Sequence, residues 1–276
     1  MKNVVLRSFS GIIYMAVIVG AIIAGSWWFL FLIALFAVTA VVEFRRMEHQ
    51  NSLAAAILDV LGAITIVSTI YACCVLREMN MQETMVMLFG PYAVYMTART
   101  IAELYLRNPN PFESLAVSAA TQLYIVLPLA LMSVLYFVLG SKWLVLCVFI
   151  MIWINDTGAY VVGSMLGRHH LFPRISPKKT WEGFAGGMAF TIGAAVVMQS
   201  CFDGLLGNIS LIEALILGAV ISAASTFGDL AESQLKRTAG IKDSGHIIPG
   251  HGGILDRIDS LLLVVPVTVL FYILIA

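Results

Sequence analysis

"LAVSAATQLYIVLPLALMSVLYFVLG", residues 115–140, contains no Asp, Glu, Lys or Arg. A helix needs about 20 predominantly apolar residues to cross the hydrocarbon core of a bilayer. This stretch exceeds that length, so it reads as a transmembrane helix. The rest of the chain agrees: of 276 residues, 60% are hydrophobic and 12% are charged, against roughly 25% charged in soluble domains. The fold class that follows is all-α, a polytopic helical bundle in a membrane.

The same ruler, applied outward, places helices near residues 9–23, 27–43, 53–76, 84–98, 115–140, 143–166, 184–199, 211–231 and 261–276, about nine spans. The N-terminal "MKNVVLRSFSGIIYMAVIVGAIIAG" has the positive start and apolar stretch of a signal peptide. A second apolar span follows after only a Gly-Ser break, however, so the pair reads as a retained helical hairpin. The connections are too short for a separate soluble domain, and no internal repeat is visible. Residues 1–276 therefore read as one membrane domain, with 1–140 the less specific part and 141–276 carrying the motifs.

Basic residues set the expected orientation. With the N-terminus in the cytoplasm, of the 16 Lys and Arg only Arg77 and Lys142 fall outside, as the positive-inside rule requires. An odd number of spans then puts the C-terminus outside. The absence of an organelle-targeting extension points to a bacterial cytoplasmic (inner) membrane. A formal net charge of zero and the lack of a basic arm argue against a nucleic-acid partner. Cys73, Cys74, Cys147 and Cys201 lie in or beside apolar runs without ligand-like spacing and read as small core hydrophobes.

Against this background "SQLKRTAGIKDSGHIIPGHGGILDRIDS", residues 233–260, is out of place. Asp256 and Asp259 are three apart and share a face if the last helix starts near Leu255. Asp229 ends the preceding span and returns beside them in a helical hairpin. Three carboxylates with no zinc-type His or Cys spacing suit a hard cation such as magnesium. Lys236, Arg237, Lys242 and Arg257 surround the acids, an excess of positive charge that a metal ion alone does not need. A metal–polyphosphate complex needs both signs: cations hold the phosphate oxygens and carboxylates hold the bridging ion. Gly250, Gly252 and Gly253 in "PGHGG" allow phosphate to approach backbone amides closely. These features together predict a nucleotide site.

The segment from Ser233 to Asp259 resembles the signature of the phosphatidate cytidylyltransferase (CDP-diacylglycerol synthase) family. Ser233, Leu235, Lys236, Arg237, Lys242, Asp243, Gly245, Ile248, Pro249, His251, Gly252, Gly253, Ile254, Asp256, Arg257, Ile258 and Asp259 all match, with no departure. "NDTGAY" and "GRHHLFPRISPKKTWEG" look like the family's other cytoplasmic-side motifs, so the resemblance covers the second half of the chain. It implies transfer of CMP from CTP to phosphatidic acid, giving CDP-diacylglycerol and pyrophosphate for phospholipid synthesis. It assigns magnesium, with a second cation, to Asp229, Asp256 and Asp259. It assigns substrate phosphate to Lys236, Arg237, Lys242 and Arg257, with Ser233, Gly252 and Gly253 beside them. Asp243 then orients a neighbouring Lys or binds cation, and a homodimer is implied. Phosphatidic acid is already an anionic nucleophile, so direct in-line attack needs no protein nucleophile.

Several residues keep two readings. His251 either moves a proton or contacts phosphate, or it is a structural part of a tight turn. Lys178 and Lys179 are phosphate contacts or positive-inside anchors, and Asn155 and Asp156 bind substrate or bridge helices. Asp59 and Glu213 are interfacial acids or marks of a cation path, and the Met-rich "REMNMQETMVML" reads as core and interface. A CTP-dependent lipid kinase shares the metal–phosphate logic. A cation-coupled secondary transporter would place its acids near the bilayer midplane and show repeats, and a purely structural protein gives no reason for the charge cluster.

Overall fold

A computed structural model of the chain describes residues 2–49, 52–76, 81–106, 108–202, 204–248 and 252–275. Among them run nine helices: α1 (Lys2–Ala24), α2 (Ser26–Met47), α3 (Leu53–Leu76), α4 (Met81–Leu106), α5 (Pro111–Leu139), α6 (Lys142–Leu166), α7 (Trp181–Cys201), α8 (Leu211–Thr238) and α9 (Leu255–Ile275). A short antiparallel hairpin, β1 (His170–Phe172) and β2 (Ser176–Thr180), joins α6 to α7, an element that the hydropathy pattern did not reveal.

Seven helices, α2, α3 and α5–α9, are long and apolar enough to cross a membrane, as in a multi-pass membrane protein. In α1 the apolar part is confined to Phe9–Ala24, roughly 24 Å at 1.5 Å per residue, short of a hydrocarbon core of about 30 Å. Several helices extend past their expected spans. α8 continues through Lys236 and Arg237, and α9 starts at Leu255, so both Asp256 and Asp259 are helical. The long apolar α5 is not uniform: Thr121–Val126 and Leu135–Leu139 are π-helical turns.

The chain packs as two compact units. The first comprises residues 1–134 and 243–257, and the second comprises 135–242 and 258–276. The core of the first holds an unusual amount of charge. Arg45 of α2 and Asp59 of α3 form a buried ion pair, and Arg99 of α4 approaches the same carboxylate at 3.4 Å while pairing with Glu103 at 2.5 Å. Tyr95 and Ser118 hydroxyls also donate to Asp59, at 2.8 and 2.9 Å, and the Gln122 amide donates to the Asp59 carbonyl at 2.8 Å. Asp59 is therefore the hub of a helix-to-helix network, neither an interfacial acid nor part of a cation path. Arg45 and Arg99, which the sequence suggested as membrane-surface cations, are buried in it. Glu213 likewise has a local task, closing a capping box with Ser210 at the start of α8.

In the second unit, α6, α7 and α8 approach closely through small residues, as membrane helices commonly do. A Cβ on Gly186 would overlap the side chain of Val162, so only glycine fits at this crossing. Cys74 and Cys147 are buried as expected; Cys201, at the end of α7, is exposed.

Removing one partner of a buried ion pair typically costs about 3–5 kcal/mol, because the other charge is left unmatched. Asp59→Ala takes the ion-pair partner from Arg45 and leaves Arg99 with Glu103 alone, and is expected to lower stability by that order. Thermal unfolding in detergent checks this, with Asp59→Ala falling well below wild type.

Candidate active site

The second unit holds a cavity of about 450 Å³ whose walls come from α6, the hairpin, α7 and α8. α6 contributes Asn155, Asp156 and Tyr160, the hairpin contributes Lys178, Lys179 and Thr180, and α8 contributes Thr226 and Asp229. The hairpin is aimed by two local features. The Thr180 hydroxyl caps α7 by accepting from the Gly183 amide at 3.1 Å. Glu182 accepts from the Arg168 and His169 amides at 3.1 and 3.2 Å, closing the strand pair at its base. Lys179 is thereby delivered to Asp229, Nζ to Oδ2 at 2.6 Å, with the Thr226 carbonyl at 3.4 Å.

α8 carries its functional groups on one stripe at helical spacing. The Ser233 hydroxyl donates to Asp229 Oδ1 at 3.1 Å, and Lys236 pairs with Glu232 at 2.5 Å. Asp259, in the second turn of α9, is half-buried and feels the charges of Asp229, Glu232 and Asp156. Four carboxylates thus share one region of this unit, met by the ammonium groups of Lys179 and Lys236. Oxygen donors in that number suit a hard divalent cation. Among the described residues no three Asp, Glu, His or Cys side chains already close on one point.

Asn155 and Asp156, neighbours in sequence, separate by function. Asn155 is buried, accepts from the Ser222 hydroxyl at 2.6 Å and donates to Ser225 Oγ at 3.3 Å, tying α6 to α8. Asp156 is exposed to the cavity.

In the first unit, Asp256 joins Ser244 to Gly253. Its Oδ2 accepts from the Ser244 amide (2.9 Å), the Ser244 hydroxyl (3.0 Å) and the Gly253 amide (2.8 Å). One oxygen of Asp256 is thus committed to the fold of the segment, and so is the Gly253 amide. Gly252 takes a positive φ of 87° within an isolated bridge to Ile248, the conformational freedom that the glycine-rich run suggested. The Tyr14 hydroxyl of α1 donates to the Arg257 carbonyl at 3.1 Å, while the Arg257 side chain is exposed.

The remaining basic residues have separate surroundings. Arg237 is exposed and donates to the Ile241 carbonyl at 3.1 Å, finishing α8, whereas Lys242 and Asp243 are exposed in the turn that follows. Lys236 and Arg237 do not line the cavity. His251 lies outside the described residues. Residues that the sequence reading missed are Tyr160, Thr180, Thr226, Glu232 and Glu43. Glu232 was legible, being three residues from Asp229 and four from Lys236; Tyr160 and Thr226 carry no such signal.

A profile of the cytidylyltransferase family matches residues 5–275. The chain belongs to the cytidylyltransferase family. Among curated relatives, the phosphatidate cytidylyltransferase of Staphylococcus saprophyticus is 44% identical over 146 residues, 49% of this chain and 55% of the relative. That of Staphylococcus epidermidis is 50% identical over 122 residues, 44% and 46% of the two chains, and that of Haemophilus influenzae 44% over 130, 47% and 45%. The chain thus spans about half the length of these curated relatives.

Asn155→Leu leaves two buried hydroxyls without their partner and is expected to cost about 1–3 kcal/mol. Asp156→Asn, one residue away at the cavity, is expected to stay within about 0.5 kcal/mol of wild type. Thermal denaturation of both variants in detergent makes the comparison.

Proposed function

We propose that the protein is a CTP:phosphatidate cytidylyltransferase of a bacterial cytoplasmic membrane. The observation that carries this reading is the meeting of Lys179 and Asp229 at 2.6 Å on one cavity, because Lys179 belongs to the SPKKTWEG motif and Asp229 leads into the signature segment from Ser233. The positive-inside count favours a cytoplasmic N-terminus and puts both motifs on the side where CTP is found. A homodimer, implied by the family resemblance, belongs to the same proposal.

The chemical problem is the approach of two anions. A lipid phosphate oxygen attacks the α-phosphorus of CTP in line; the new P–O bond forms as the bond to pyrophosphate breaks, and CDP-diacylglycerol remains in the membrane. Lys178 and Lys179 bind phosphate oxygens at the mouth of the cavity and lower the repulsion between the reactants. Lys236, Arg237, Lys242 and Arg257 extend the positive field along the signature segment. Asp229 and Asp259, with Asp156 beside them, would hold magnesium, and with it a second cation. Magnesium supplies charge neutralisation at phosphate oxygens when bound. Asp229 has a second task, since it orients both the Lys179 ammonium and the Ser233 hydroxyl. Asp256, although part of the same signature, contributes first by shaping the turn through Ser244 and Gly253.

Purified protein in mixed micelles with phosphatidic acid, magnesium and α-labelled CTP is expected to move label into the lipid phase. γ-Label in the lipid would instead mean a lipid kinase. Asp229→Asn and Asp259→Asn are each expected to reduce turnover by roughly 10²–10³ or more while the protein remains folded. Lys142→Ala, on the predicted opposite side, is expected to retain wild-type turnover. Wild-type rates in both Asp variants would remove the cation assignment.

A further inference from the structure

Glu43 lies near the end of α2, far in sequence from every motif discussed above, and its side chain is almost wholly buried. A buried carboxylate is costly unless donors replace its water. Its partners come from the signature segment: the Ile254 amide donates to Oε1 at 3.1 Å, the Leu255 amide donates to Oε2 at 2.8 Å, and the Ser244 hydroxyl, 3.2 Å from Oε2, is shared between Glu43 and Asp256. Among the described residues no Lys, Arg or His forms an ion pair with Glu43. The amides at the start of α9 have no acceptor within the helix, and the positive end of the helix dipole favours an anion there. Glu43 thus serves as a cap delivered from another helix.

The surrounding glycines fit the same carboxylate. A Cβ on Gly245 would lie 2.5 Å from Glu43 Oε1, and one on Gly253 would overlap Glu43 Oε2 and the Ser244 hydroxyl. The small residues at these two signature positions therefore have a cause outside the signature: they leave room for an acid from α2. Ser244 links this acid to the next, since its hydroxyl lies within reach of both Glu43 Oε2 and Asp256 Oδ2 and its amide donates to Asp256. Gly253 joins them too, donating its amide to Asp256 while making room for Glu43.

We propose that Glu43 is a positioning residue for nucleotide transfer: its carboxylate sets the conformation at Ser244 and from Gly253 to Leu255, and through them the placement of Asp256 and Arg257. It acts through these residues and does not itself touch substrate. The proposal rests on the cytidylyl-transfer reading of the signature segment.

The test compares wild type with Glu43→Gln, Glu43→Asp, Gly245→Ala and the Glu43→Asp/Gly245→Ala pair, using the full chain in detergent. Glutamine keeps the shape but sets an NH₂ group against one of the three donors. Amide hydrogen exchange in peptides covering Gly253–Leu255 is expected to accelerate roughly ten-fold in Glu43→Gln, with α6–α8 unchanged. The KM for CTP is expected to rise by a similar factor. Aspartate withdraws the carboxylate by one methylene, so the pair is expected to lose less activity than the product of its two single effects. Unchanged exchange at Ile254 and Leu255 would overturn the proposal. So would a lower rate with unchanged KM in Glu43→Gln, which is the mark of a merely structural residue, or multiplicative effects in the pair. If Glu43→Gln does not fold, the Asp and Gly245 series decides. If wild type transfers no label, the functional reading falls, and the exchange comparison still decides whether Glu43 sets the segment.

Discussion

Charge placed among apolar helices has to be neutralised where it sits, and this constraint orders much of the structure. Water offers a carboxylate or guanidinium group a solvation that hydrocarbon cannot, so each buried charge must be met by an opposite charge or by donors. α2 shows both solutions within two residues. Arg45 meets Asp59 of α3, while Glu43 meets two amides and a hydroxyl of the signature segment. The apolar helices supply the bulk of the buried surface. The polar contacts select which faces are turned toward one another.

The second unit uses the same constraint for chemistry. Its acids gather in one region: Asp259 feels the charges of Asp229, Glu232 and Asp156, Lys179 pairs with Asp229 and Lys236 pairs with Glu232. A region with more negative than positive groups is poised for cation, and its lysines are poised for anion. Close packing through glycine at the α6–α7 crossing brings the hairpin that carries Lys178 and Lys179 to the acid stripe of α8. Small residues therefore serve the site as much as the charged ones do, by permitting the distances.

Much of this was legible in the sequence. Long uncharged runs announce spanning helices because lipid permits few alternatives, and the charged run from Ser233 stands out against them. Lys179 and Asp229 could be nominated from their motifs, but their contact depends on a hairpin too short to show a period-two pattern. The boundary erred where an amphipathic end continues the helix beyond the apolar part, as at Lys236 in α8, whereas the start at Leu255 that puts Asp256 and Asp259 on one face was foreseen. Arg45, Arg99 and Asp59 were misplaced at membrane surfaces because hydropathy reports the residue and not its partner. Glu43 was invisible for the same reason: an acid ending an apolar span resembles any interfacial acid until the amides that meet it are known.

The distance along the chain between Glu43 and those amides has a consequence for biogenesis. The three partners follow it by 201, 211 and 212 residues, so all of that intervening chain leaves the ribosome before the acid finds its donors. The first compact unit, assembled from residues 1–134 and 243–257, therefore cannot finish folding in order of synthesis. It stays open through the insertion of α6, α7 and α8, and the late arrival of α9 completes it. Such long-range closure is slow and leaves intermediates exposed, which makes this early helix dependent on one translated much later.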